Sequence, residues 1–344
     1  MKRLWVVLVV LLLLAGAAAA LGWRALDGAM HEPGPNAEAV RIHVGPGARL
    51  RSVLATLEQR GALRDARLTE WWLRLSGRRP NVRAGTYEIP PRAPASAVLE
   101  QLEAGHVVLE SLTAIEGWSF AELRRAIEKH PRIKVTLRGK SDAEVMAALG
   151  HAGEHPEGRF FPDTFRFADG TTDLEILALS HRQMEQELAA AWAARSADLP
   201  ITTPYEALIL ASIVEKETGL ERERPQIAGV FVGRLRRHMR LQSDPTVIYG
   251  LGTGYDGDIR NRDLATDTPY NTYTRNGLPP TPIALPGRGA LRAATRPLEN
   301  GALYFVATGE GDGSHFFSAT YEEHRAGVAR MLERQRARGL LRRP

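Results

Sequence analysis

Residues 4–23 form an unbroken apolar run, preceded by Lys2 and Arg3 and followed by Arg24 and Asp27. Twenty residues at about 1.5 Å of rise each span the ~30 Å hydrocarbon core of a bilayer. This run splits the chain before any fold is considered, because the rest must fold on one side of a membrane. Two cations ahead of the run keep the N-terminus in the cytoplasm and send the body across. Trp5 and Trp23 stand at its two ends, where interfacial aromatics belong. The Ala-rich residues 17–20 would suit a signal-cleavage site. Cleaved apolar cores usually run ~7–15 residues, so length favours a retained single-pass anchor in the plasma (inner) membrane. Either way the body works outside the cytoplasm.

A chain of 344 residues, 44% hydrophobic and 25% charged, holds two or three domains with cores of their own. It has no Cys, which excludes disulfides, thiolate metal sites and Cys nucleophiles. The net charge of +5 is modest, and its arginines gather at residues 325–343. No aromatics interleave with basic residues as a nucleic-acid face requires, so this reads as a solvated basic helix.

Turn signals and periodicity divide the chain into an anchor with its cytoplasmic tip (1–24), a Pro/Gly-bearing linker (25–40) and a small module (41–108). An intermediate part (109–200), a core (201–335) and a basic tail (336–344) follow. The module reads as strand 41–44, helices 50–60 and 68–76, strand 85–89 and helix 95–104, with Trp71 and Trp72 as core residues. Beyond it come a strand near 107–114, a helix over 119–129 with Ser119 and Glu122 as a capping box, and a long helix over 173–194. The fold class is α+β, a mixed body behind one transmembrane helix.

Residues 209–217 are apolar on nearly every face, which predicts a helix inside a domain. It ends in Glu215 and Glu217, with Gly219 just past the end. Leu210, Ile213, Val214 and Glu217 share one stripe at helical spacing, and Glu215 stands about 200° away. A carboxyl in the last turn meets the negative end of the helix dipole, and burial adds a desolvation cost. Both favour a protonated Glu217, which is what a general acid needs. The alternative is that Glu217 pairs with an Arg and closes the helix.

Two polar segments follow. One is Leu241, Gln242, Ser243, Asp244, Pro245 and on to Tyr249. The other, residues 269–283, is long, aperiodic and rich in Tyr, Asn and Pro. Loops of this kind serve binding or act as proline-stiffened connections. Tyr faces, Asn amides and an Arg suit sugar rings, hydroxyls and acetamides. Gln242, Ser243, Asp244, Tyr249, Tyr270, Asn271, Tyr273 and Arg275 are the candidate substrate-binding residues. The ten histidines form no metal-ligand spacing, so no metal and no cofactor are expected. Ser212 lacks a nucleophile elbow and reads as a packing residue. A lone His315 reads as structural.

The chain resembles the YceG-like family of endolytic murein transglycosylases. The resemblance rests on residues 211–218 (Ala-Ser-Ile-Val-Glu-Lys-Glu-Thr), Arg234-Leu235, residues 241–250 and Tyr270-Asn271-Thr272-Tyr273. Gly277-Leu278-Pro279-Pro280, Pro286-Gly287, residues 84–87, Glu116-Gly117, Glu157-Gly158 and residues 161–164 add to it. It runs from the anchor to about residue 332. Ser243 stands where Thr is expected, which keeps the hydroxyl, and Thr281-Pro282 departs after the double proline. The resemblance places the catalytic Glu on Glu217 and implies a LysM-like module at 41–108. It also implies cleavage of the β-1,4 bond between N-acetylmuramic acid and N-acetylglucosamine, leaving 1,6-anhydromuramyl ends. Termination of nascent strands, glycan strands as substrate and wall-building peptidoglycan synthases as partners come with it.

Two rivals stand beside this reading. A muramidase would use Glu217 with Asp244 or Glu215 as a second carboxylate and leave reducing ends. A non-catalytic wall-binding protein would bind sacculi without turnover.

Overall fold

The computed structural model describes residues 2–339. The side chains of Lys2 and Arg3, on which the expected orientation rests, and the basic tail from residue 340 lie outside the described residues. The chain forms two compact units, Met1–Glu110 with Arg166–Gly170, and Ser111–Phe165 with Thr171–Pro344.

In the first unit α1 (Lys2–His31) carries the apolar run and is long and apolar enough to cross a membrane. It continues past the expected end of the anchor. Residues 25–31 are therefore helical rather than linker, because Ala29 and Met30 bury in the unit's core and the His31 ring meets the edge of Trp72 at 5.6 Å. β1 (Val40–Val44) is followed by α2 (Leu50–Gln59) and α3 (Ala66–Ser76). The Asp65 carboxylate starts α3 by accepting the N–H groups of Arg67 and Leu68. β2 (Gly85–Ile89) returns antiparallel to β1, Val40 opposite Ile89 and Val44 opposite Gly85. Alternation sends Ile42, Val44, Tyr87 and Ile89 inward onto Val53, Leu57 and the buried face of α4 (Ala95–Ala104). Of the expected Trp pair only Trp72 packs on this core. Trp71 is 55% exposed, beneath the Arg74 guanidinium.

β3 (Leu109–Thr113) pairs with β4 (Thr164–Ala168), and α5 (Phe120–Lys129) and α6 (Asp142–Ala148) lie between them in sequence. α7 (Asp173–Ala193), α8 (Pro204–Glu217), α9 (Arg224–Arg236), α10 (Asp244–Leu251), α11 (Asn261–Ala265) and α12 (Arg288–Thr295) follow. The hairpin β5 (Tyr304–Ala307) and β6 (His315–Ser318) precedes α13 (Tyr321–Ala337). Ser or Thr capping boxes start five of these helices, at Ser119/Glu122, Ser141/Glu144, Thr172/Glu175, Thr203/Glu206 and Thr320/Glu323. Each contributes about 1 kcal/mol by satisfying otherwise orphaned N–H groups.

α8 is the axis of the second unit. It is buried from Ala207 to Glu215, with α7, α9 and α12 packed around it, which explains apolar residues on all its faces. Leu210→Ala would cost about 2–5 kcal/mol through the cavity it leaves. On α9, a Cβ at Gly229 would stand 2.1 Å from the Leu298 carbonyl oxygen, so only glycine lets the chain cross there. α13 is not merely solvated. Arg334 and Arg338 donate to the carbonyls of Thr308 and Gly309, and Arg330 covers Phe316, fastening the helix to the β5–β6 hairpin.

Candidate active site

The two glutamates at the end of α8 have different surroundings. Glu215 is buried. Its Oε1 accepts from Arg224 Nη2 at 2.6 Å, and its Oε2 accepts the Gly287 N–H at 2.9 Å. Arg224 also reaches Glu116 Oε2 at 3.1 Å. A Cβ at Gly287 would lie 1.8 Å from Glu116 Oε1, so the Pro286-Gly287 turn needs glycine to come this close. Burial pushes the Glu215 carboxyl up, while the Gly287 N–H and the Arg224 charge pull it back. The group is a staple between α8, α9 and the 285–287 turn.

Glu217 is the last residue of α8, because Thr218 is extended and spends its hydroxyl on the Leu220 N–H. Among the described residues no guanidinium pairs with it. Its Oε1 accepts one hydrogen bond, from Ser243 Oγ at 2.5 Å. Desolvation, with the negative charge of Asp244, pushes its carboxyl up to about 7, against the Ser243 bond and the Arg234 charge, which pull down. Burial, one of the two expected causes, and the like charge of Asp244 together hold the proton toward neutral pH.

Ser243 sits at the start of α10, where a serine would ordinarily cap its own helix. It caps nothing, because its hydroxyl is turned to Glu217. Its backbone is held by hydroxyls: Thr272 Oγ1 accepts the Ser243 N–H at 3.0 Å, and Thr246 Oγ1 donates to the Ser243 carbonyl at 2.7 Å. Before it, Gln242 takes a left-handed conformation with φ 51°, fixed by the Thr272 carbonyl. Such strain in a non-glycine residue persists only where the surroundings impose it.

Glu217 opens into a cavity of about 400 Å³ lined also by Arg234, Gln242, Asp244, Tyr273, Tyr304, Phe305, Tyr321 and His324. The Tyr273 hydroxyl donates to Asp244 Oδ1. Of the eight candidate binding residues, Gln242, Asp244 and Tyr273 line this cavity and Ser243 holds Glu217. The other four do not line it. Tyr249 donates to Glu157 and packs on Tyr270, whose hydroxyl meets Thr281. The Asn271 amide is buried and donates to the carbonyls of Asp263, Leu264 and Thr266, while its oxygen takes the Tyr273 N–H. It is a brace that sets the loop carrying Tyr273. Arg275 forks onto Asp267 and lines a separate hollow with residues 276–280.

Five lining residues were not among the candidates. Arg234 is buried, donating to the carbonyls of Leu303 and Leu241, with its guanidinium 5.3 Å from the Tyr304 ring centroid. It keeps a positive charge near Glu217 without pairing to it. Its place in the Arg234-Leu235 motif was the available signal. Tyr304, Phe305, Tyr321 and His324 come from β5 and the first turn of α13, where nothing local in the sequence marks them. Ser212 does more than pack: its hydroxyl donates to Ile209 and accepts the Ile283 N–H, tying the 269–283 loop to α8. His315 pairs with Glu223 at 2.8 Å, a structural contact.

The cavity is polar and aromatic-walled, with one carboxyl of raised pKa at its base, the equipment that general acid–base chemistry needs. The sequence matches the YceG-like family over residues 42–330, and the chain belongs to that family. It is 27% identical over 302 residues to a Bacillus subtilis protein named endolytic murein transglycosylase, covering 83% of this chain and 82% of that one. A Streptococcus pneumoniae protein of the same name is 25% identical over 331 residues, covering 84% of this chain and 58% of the longer relative. The crystal structure of a YceG-like protein from Listeria monocytogenes superposes with a TM-score of 0.53 at 26% identity, over 84% of this chain and 99% of that one.

Proposed function

We propose that this protein is an endolytic peptidoglycan lytic transglycosylase that uses Glu217 as its one acid and base. The observation that carries the reading is the Glu217 carboxyl, pushed up to about 7, unpaired with any cation among the described residues and open to a cavity walled by tyrosines. A glycan strand would lie across that wall with the β-1,4 bond between N-acetylmuramic acid and N-acetylglucosamine over Glu217. The protonated carboxyl gives its proton to the glycosidic oxygen as the C1–O4 bond breaks. The muramyl 6-hydroxyl oxygen then bonds to C1, and its proton passes to the Glu217 carboxylate. The carboxyl is regenerated, no water is consumed, and a 1,6-anhydromuramyl end remains. An internal nucleophile removes the need for a second carboxylate.

Asp244 favours a second reading, because it lines the same cavity and its charge acts on Glu217. As a general base it would activate water and give a hydrolase. Mass spectrometry of products from the purified protein and un-crosslinked glycan strands separates the two. Anhydro ends are the expected result, and reducing ends would replace the lyase with a muramidase.

α1 supports a membrane-anchored enzyme acting outside the cytoplasm on strands near the membrane, where it would end nascent strands beside the synthases that extend them. The strand–helix–helix–strand order of β1, α2, α3 and β2 supports a LysM-like, glycan-holding role for residues 41–108.

A further inference from the structure

Sequence spacing offered no metal-ligand pattern, yet the fold gathers three ligand-type side chains outside the Glu217 cavity. His151 and Glu154 stand on the turn after α6, and His181 stands on α7. Each brings one ligand atom, and the three atoms lie within 4.8 Å of one another, the one such group among the described residues. The His151 and His181 rings lie with centroids 3.9 Å apart. His151 Nδ1 is 3.5 Å from Glu154 Oε1.

His181 is the telling residue. It is 2% exposed, and among the described residues neither of its ring nitrogens has a hydrogen-bond partner. Buried imidazoles almost always satisfy at least one nitrogen. Glu185 Oε2 lies 3.6 Å from His181 Nδ1, placed to accept from that nitrogen once the other is ligated. Arg159 Nη2 is 3.1 Å from Glu154 Oε2, leaving Oε1 to face the histidines as a single ligand atom. The Arg159 guanidinium, stacked over the Tyr205 ring at 4.7 Å, keeps its charge beside the group.

We infer that His151, Glu154 and His181 form a binding site for a divalent transition metal, zinc by ligand type. Two imidazoles and one carboxylate are a zinc donor set, with water in the fourth position. Tetrahedral ligands at zinc bond lengths sit roughly 3.3 Å apart, so groups within 4.8 Å of one another close in by up to about 1.5 Å, by side-chain rotation on the exposed turn. The ion would tie the turn after α6 to α7. The same turn runs on into Glu157, which accepts the Phe120 N–H and the Tyr249 hydroxyl.

The test uses the full-length protein in detergent, stripped by chelator and titrated with zinc alone, with cobalt substitution to read ligand geometry. One equivalent should bind, raise Tm, and give the visible bands of tetrahedral cobalt. His151→Ala and Glu154→Gln change partly exposed side chains and should leave the metal-free Tm within a degree or two while weakening zinc at least 10-fold. His155→Ala, on the same turn but outside the group, should bind as wild type. No stoichiometric binding in the wild type, or equal affinity in all three variants, would overturn the site.

Discussion

Glu215 and Glu217 are two residues apart on one helix, and the fold puts them to opposite uses. Glu215 turns inward to a guanidinium and a backbone N–H, so its charge is compensated and its position fixed. Glu217 turns outward to a cavity, with one hydroxyl for a partner and a carboxylate nearby. Helical geometry separates them by about 200°, enough for one to join the core and the other a cleft. Burial acts on both. What differs is the neighbour, a cation that stabilises the charge in one case and an anion that opposes it in the other.

The largest effect should come from Glu217→Gln, which keeps size and removes the transferable proton. The rate of anhydro-product formation should drop by ~10²–10⁴ or more, since one group serves both steps. Its stability should respond to pH in a defined direction. A carboxyl raised from 4.5 to about 7 on folding binds its proton more tightly in the native state, so it costs stability increasingly as pH rises through that window. Melting curves should show the variant gaining on wild type between pH 5 and 8. An unchanged gap would mean that Glu217 ionises freely.

Glu215→Gln should do the reverse, sparing chemistry per folded molecule and harming the fold. It leaves the buried Arg224 with only Glu116, a loss of about 3 kcal/mol, at the low end for a broken buried pair. Denaturant unfolding measures it. A stable but inactive Glu215→Gln would reverse the assignment of the two residues. Ser243→Ala should slow turnover about 10-fold, the worth of one hydrogen bond to a charged group, and Ser243→Thr should restore it. Because that bond holds the Glu217 carboxyl down, its loss should also move the alkaline limb of activity to higher pH.

Much of this contrast was legible in the sequence. The stripe of Leu210, Ile213, Val214 and Glu217 follows from helical periodicity, and the capping box at Ser119 and Glu122 follows from local chemistry. The origin of the Glu217 shift was half legible. Desolvation was foreseen, but the charge of Asp244 needs α10 to fold back toward the end of α8. The bracing role of Asn271 was hidden for a related reason. A polar residue in a polar loop looks like a ligand contact, and only the tertiary structure reveals three carbonyls around its amide. Tyr304, Tyr321 and His324 lie 87 residues or more beyond Glu217 in sequence, with no local pattern to link them to it. The His151–His181 group is hidden likewise, since its members sit on a turn and on a helix that follows a strand.

Glu157 offers the sharpest control, because burial pushes its carboxyl up to about 7 as well. It does not line the Glu217 cavity, and it is bonded to Phe120 and Tyr249. The direct test is therefore the pH dependence of anhydro-product formation, at equal folded concentration, in wild type and Glu157→Gln. The account predicts activity falling above about pH 7 as Glu217 ionises, with the same limb in Glu157→Gln. A profile flat from about pH 5 to 9, or a limb that disappears with Glu157, would contradict it.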